Sequence, residues 1–202
     1  MSHRLPTLLA GALAVVLAGA AIARAAASDP AAVQIERFDA ALTGAMHGGA
    51  AIGFKGRVRV LTPAVDQVFD IPMMTKFAVG PAWAGMSQSD HTALADAFRR
   101  LVVASYAHNF DSESARFEVQ PTVETRGPDK LVQCHIVPNH GDVANVVYRM
   151  RNDGAWKVID VFYNGSISEL TTKRSDFAAS VSSGGAPALI AHINAQVAKL
   201  GA

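Results

Sequence analysis

Between Phe117 and Tyr163 the chain carries four stretches of strand-like patterning separated only by turns, and this block constrains the fold more than any other feature. Phe117, Val119 and Val123 alternate with Glu118, Gln120, Thr122 and Glu124. Arg126-Gly127-Pro128-Asp129 makes a turn, Leu131 to Val137 is a more apolar strand, and Pro138-Asn139-His140-Gly141 ends it. Val146, Tyr148 and Met150 alternate with Asn145, Arg149 and Arg151. Asn152-Asp153-Gly154 is a hairpin signal, and Trp156 to Tyr163 is the fourth strand. Strands joined by such short turns are antiparallel neighbours with one polar and one apolar face. The apolar face needs a cover, and only the flanking helical stretches can supply it. The pattern predicts an α+β fold, a four-stranded antiparallel sheet packed against N- and C-terminal helices.

Asp29-Pro30 opens the first helix, with Ile35, Phe38 and Leu42 at helical spacing, and His47-Gly48-Gly49 closes it. A second helical stretch covers about Lys55 to Asp70, weakened by Pro63. From Phe69 to Trp83 the spacing predicts short helical turns broken by Pro72, Gly80 and Pro81. The clearest helix covers Gln88 to Asn109, with Ser87 as N-cap and Asp90 three residues on. Leu94, Phe98, Leu101, Val102 and Ser105 share one of its faces. Asn164-Gly165 turns the chain into a helical tail, in which Leu189, Ile193, Val197 and Leu200 share a face. Ser182-Ser183-Gly184-Gly185 is the only loose linker, too short to separate domains.

The N-terminal segment reads as a leader outside the fold. His3 and Arg4 precede an apolar run from Leu8 to Ile22, and Ala23-Arg24-Ala25-Ala26-Ala27 holds two overlapping A-x-A patterns. These are the parts of a secretory signal peptide, cleaved after Ala25 or Ala27. Read instead as an uncleaved anchor, the run is short for a span of about 20 residues. The expected organisation is a cleaved leader over 1–27 and a single domain over 28–202. Losing Arg4 and Arg24 turns the formal charge of +1 into −1. No basic excess remains to hold a polyanion, which argues against nucleic acid as a partner. Cys134 is the only cysteine, so no disulfide can form within the chain, and a buried core thiol is expected.

Signs of catalysis are sparse. The nucleophile-elbow pattern is absent, since Gly85-Met86-Ser87-Gln88-Ser89 lacks its second glycine. Paired-histidine zinc motifs and phosphate loops are absent too. Cys134 and His135 are strand neighbours and point to opposite faces, so no metal site is expected. Asp160 on its apolar strand is expected to accept backbone donors at the strand end. Phe69, Ile71, Met73, Met74, Phe77, Val79 and Trp83 crowd a Pro- and Gly-broken segment. They form either an irregular core corner or an adaptable apolar lining, a use that suits methionine's flexible thioether.

Three stretches resemble one family. Phe69-Asp70-Ile71-Pro72-Met73-Met74, continuing through Gly80 to Trp83, is similar to the F-D-x-x-x-M…G-x-x-W segment of the MlaC family. That family is also called toluene tolerance or Ttg2D, and supplies periplasmic components of lipid ABC transport systems. Phe98-Arg99-Arg100-Leu101 with Tyr106 resembles its F-R-x-L…Y helix. Trp156 to Val161, leading through Gly165 to Ile167-Ser168-Glu169-Leu170-Thr171-Thr172-Lys173-Arg174, resembles its strand-turn-helix signature. Asn164 stands where members often carry an acidic residue, and Ser166 looks like one extra residue after the glycine. Both features resemble the hopanoid-associated branch, HpnM.

The resemblance implies an NTF2-like fold around a lipid-tail cavity, with no enzymatic activity and no cofactor. It implies a monomeric periplasmic carrier of a phospholipid or hopanoid, shuttling between an inner-membrane lipid ABC transporter complex and an outer-membrane acceptor or donor. By position, the implied tail-facing residues are Phe69, Met73, Met74, Phe77, Val79, Trp83, Phe98, Leu101, Val102 and Tyr106. Val146, Tyr148, Met150, Val161 and Tyr163 join them from the sheet, and Ile167 and Leu170 from the turn. Rival readings are an NTF2-like enzyme acting on a small apolar substrate, which needs polar groups converging in the pocket, and a lipid-free periplasmic adaptor.

Overall fold

The structure is a computed structural model that describes residues 28–111 and 115–202. The leader expected over 1–27 lies outside the described residues. Helix α1 (Pro30–Val68) begins where Asp29 Oδ1 accepts the amide of Ala31 at 2.9 Å, with proline in the first turn. Its first limb buries Ile35, Phe38, Leu42 and Ala45 completely. The limb ends at Gly49 and Gly53, whose φ angles of 45° and 59° lie where a side chain is strained. The chain re-aims there, as His47-Gly48-Gly49 foretold, and a second limb buries Leu61, Val65 and Val68. Buried Arg57 fixes the joint. Its Nε donates to the Ala107 carbonyl at 2.7 Å and its guanidinium to Gly49 at 3.3 Å.

Val68 leads to a clip onto the sheet, where Phe69 bridges Val158 and the Asp70 amide donates to the Val158 carbonyl at 2.9 Å. Asp70 Oδ1 then caps α2 (Ile71–Val79) through the Met73 amide at 3.0 Å. A 3-10 turn (Gly80–Gly85) follows. Helix α3 (Gln88–Asn109) has the bounds and the Ser87–Asp90 capping box that the sequence suggested.

The strands are β1 (Ala115–Arg126), β2 (Asp129–Pro138), β3 (Ala144–Asn152), β4 (Trp156–Tyr163) and β5 (Ile167–Ser168). They form one antiparallel meander in the order β1-β2-β3-β4-β5. The sheet has five strands rather than four. Asn164 (φ 47°) and Gly165 fold the chain back so that Tyr163 and Phe162 pair with Ile167 and Ser168. Two residues are too few to show a period. Asp129, almost fully buried, locks the β2–β3 edge by accepting Arg149 Nε and Arg151 Nε at 2.6 Å each. Burial pushes its carboxyl up, but the two guanidinium groups outweigh it and hold the pKa below the ordinary value.

Helix α4 (Glu169–Leu200) closes the chain, bent at Gly184-Gly185, so the expected loose linker is a kink within a helix. α1 packs on β1, β2 and β4, α2 on α4 and β4, and α3 chiefly on the other helices. The helices thus lie over one sheet face, and the fold is α+β. No helix among the described residues is long and apolar enough to cross a membrane.

Candidate functional site

Because α3 leans mainly on other helices, space remains between it, β4 and the start of α4. A cavity of about 430 Å³ opens there. Its deep wall is apolar: Phe69 and Met74 from the α1–α2 clip, Phe98, Leu101 and Val102 from α3, Val161 from β4, and Leu170 from α4. Tyr106 and Tyr163 add rings that carry hydroxyls. Burial first, and then the charge of Glu169, raises the Tyr163 pKa. Burial also holds Tyr106 well above its ordinary value, so both phenols are neutral at physiological pH. Ser105, Asn109, Glu169 and Lys173 complete the lining and are at least partly exposed, which sets them at the mouth.

The other residues implied by the resemblance lie elsewhere. Val146, Tyr148 and Met150 are buried on the helix-facing side of β3, within the packed core. Val79 is buried in the same core, and Met73 is half-buried without reaching the cavity wall. Phe77 is 37% exposed, and its carbonyl accepts Arg174 Nε at 2.8 Å. Trp83 stacks on His91 with ring centroids 3.9 Å apart, and its carbonyl lies 2.9 Å from that imidazole. Ile167, 57% exposed, sits on the outer turn. The four polar residues at the mouth were missed. Ser105 on the apolar face of α3, and Glu169 and Lys173 flanking Leu170, were the available signals.

Polar groups do converge at the mouth, yet neither histidine nor cysteine is among the residues lining the cavity. Asp160 Oδ2 accepts the Ser168 hydroxyl at 2.7 Å, while Oδ1 accepts the Val161 amide at 2.8 Å and the Leu170 amide at 3.4 Å. That is the strand-end role read from sequence. Cys134 is buried facing α1, with Sγ 3.5 Å from Asp39 Oδ2, while half-buried His135 faces Gln120. The described residues hold no group of three side chains able to bind a metal ion. Burial raises the Asp39 pKa to about 7, and Asp39 Oδ1 has no hydrogen-bond partner. The Cys134 thiol is pushed up as well, by burial and then by Asp39.

Fold and cavity together define a pocket-bearing α+β protein. The family model described as MlaC protein matches residues 41–195, and the chain belongs to that family. A solved structure similar in fold is the phospholipid-binding protein from Ralstonia solanacearum in complex with a phospholipid. The TM-score is 0.69 at 21% identity, and the match covers 86% of this chain and 99% of that one. No curated protein matches the sequence.

Proposed function

We propose that residues 28–202 form one NTF2-like lipid-carrying domain, exported to the periplasm behind a cleaved leader over 1–27. It shields the acyl or polycyclic tails of a membrane lipid, a phospholipid or a hopanoid, as a monomer. It passes that lipid between an inner-membrane lipid ABC transporter complex and an outer-membrane acceptor or donor, and performs no covalent chemistry. The observation that carries this reading is the cavity of about 430 Å³, its wall apolar apart from the Tyr106 and Tyr163 hydroxyls and its charged groups at the mouth. Its volume falls in the range of specific ligand pockets, roughly 300–1,000 Å³. Membership of the MlaC family and the phospholipid held by the Ralstonia protein support the same reading. The turn residues Asn164 and Ser166 favour the hopanoid-associated branch within the family.

The energetics suit a shuttle. Each buried methylene is worth about 0.8 kcal/mol, so a sixteen-carbon chain leaving a bilayer gives up roughly 13 kcal/mol. Only a pocket of comparable apolarity makes that exchange near-neutral. Phe69, Met74, Phe98, Leu101, Val102, Tyr106, Val161, Tyr163 and Leu170 supply it, with Val79, Val146, Tyr148 and Met150 in the packed core. Native mass spectrometry of protein purified from the periplasm of its own host tests the reading. One lipid per chain is expected. Protein that is lipid-free in every preparation contradicts it and favours an adaptor, while turnover of a small apolar compound favours an enzyme.

A further inference from the structure

Four polar side chains at the cavity mouth make no hydrogen bond or ion pair among the described residues. They are Ser105 and Asn109 on α3, and Glu169 and Lys173 on α4. Each pair is spaced by four residues, one helical turn or about 6 Å along its axis. Charges so spaced on a helix commonly pair with one another, yet no ion pair joins Glu169 to Lys173. Nearby polar groups are engaged: Arg174 on the Phe77 carbonyl, Asp160 on the Ser168 hydroxyl, and Arg100 on Asn194 at 3.0 Å. The start of α4 offers little to an anion, because the Leu170 and Thr171 amides are taken by Asp160 and Ser168. Recognition of charge at this mouth therefore falls to side chains, one cation and one anion a turn apart. The field of Glu169 reaches into the cavity, where it disfavours ionisation of Tyr163 and Tyr106.

We propose that the mouth reads a zwitterionic phospholipid headgroup, with Lys173 on the phosphate and Glu169 on the ammonium of a phosphoethanolamine. Ser105 and Asn109 donate hydrogen bonds to the phosphate or the glycerol ester oxygens. This rests on the lipid-carrier reading and narrows its cargo. An uncharged polycyclic lipid leaves both charged groups unmatched. A phosphoglycerol headgroup matches Lys173 but sets its net negative charge against Glu169. Phosphoethanolamine, with a two-carbon link between phosphate and ammonium, satisfies both. The groups are partly exposed, and ion pairs of that kind are weak, so preferences of about 1.4- to fivefold are expected.

The test incubates the full mature chain with vesicles holding equal amounts of phosphatidylethanolamine, phosphatidylglycerol and diacylglycerol with identical acyl chains. Native mass spectrometry then reads which lipid is bound. The wild type is expected to favour phosphatidylethanolamine over phosphatidylglycerol about threefold. Glu169→Gln is expected to abolish that preference by lowering bound phosphatidylethanolamine. Lys173→Gln is expected to lower both phospholipids relative to diacylglycerol. A wild type that loads both phospholipids equally, or a ratio that neither variant moves, overturns the headgroup proposal and leaves the carrier reading standing. A wild type that takes up none of the three overturns the headgroup proposal, and one that also takes up nothing from hopanoid-containing vesicles overturns the carrier reading itself.

Discussion

The two ends of the helical layer treat the same sheet differently. Over β1 and β2 the first limb of α1 lies in contact, with Ile35, Phe38, Leu42 and Ala45 at zero exposure. Over β4 the helices part, and Phe98, Leu101, Val102 and Tyr106 face the cavity. The residue types are nearly the same on both sides. The difference lies in the path of the backbone: the Phe69–Asp70 clip pins the end of α1 to β4, while α3 is carried by the other helices. A packed half that holds the fold beside a parted half that holds a ligand follows from where the helices are tethered.

Close packing in the first half centres on Phe38, whose ring meets Phe69 and Tyr106 edge-on with centroids 4.9 and 4.8 Å away. Phe38→Ala is expected to cost about 3–5 kcal/mol, read from urea denaturation of lipid-free protein. A loss below about 1 kcal/mol contradicts the close packing assigned to this half.

Asp39, on the same limb, sharpens the contrast through pH. Burial holds its folded-state pKa at about 7, above the ordinary carboxyl value of 3.8. Unfolded chains ionise first, so stability is full below pH 4, falls as pH rises toward 7, and levels above it. The complete penalty is on the order of 4 kcal/mol at about 1.4 kcal/mol per pH unit. Asp39→Asn removes the titration, and a gain on the order of 4 kcal/mol is expected at pH 8, with none at pH 4. Equal effects at both pH values exclude a buried titrating carboxyl.

The smallest effect is expected at Cys134. Cys134→Ala removes a thiol from the packed half, and is expected to cost about 1 kcal/mol while leaving lipid occupancy and metal content unchanged. Lost occupancy in that variant ties the two halves together more closely than the geometry allows.

Much of the fold was legible in the sequence because its signals are local. The capping box at Ser87 and Asp90 set the start of α3, the glycines after His47 marked the break in α1, and alternation located β1 to β4. β5 was not legible, since Ile167-Ser168 pairs only after Asn164 and Gly165 have turned the chain. The first half of α4 was blurred by Gly184-Gly185, which bends the helix without ending it. For the site, alternation tells which way a side chain faces but not how far away the opposing helix lies. Tyr148 and Val102 both face inward, yet Val102 lines the cavity and Tyr148 is buried in the core. The polar mouth escaped a search for apolar side chains, because Glu169 and Lys173 look like any solvated helix face until Leu170 between them is found on the wall.

Val102 offers the most direct measurement of the division between the two halves. Val102→Asp sets a charge on the wall of the parted half, where water can enter once the cavity is empty. A charge buried in a close-packed core instead costs several kcal/mol. Melting of delipidated protein and lipid co-purified from the host are to be compared for Val102→Asp and the wild type. The expected result is a modest fall in melting temperature with lipid nearly absent. A variant that unfolds outright, or one that folds and keeps its lipid, contradicts the claim that this half of the molecule is the lipid site.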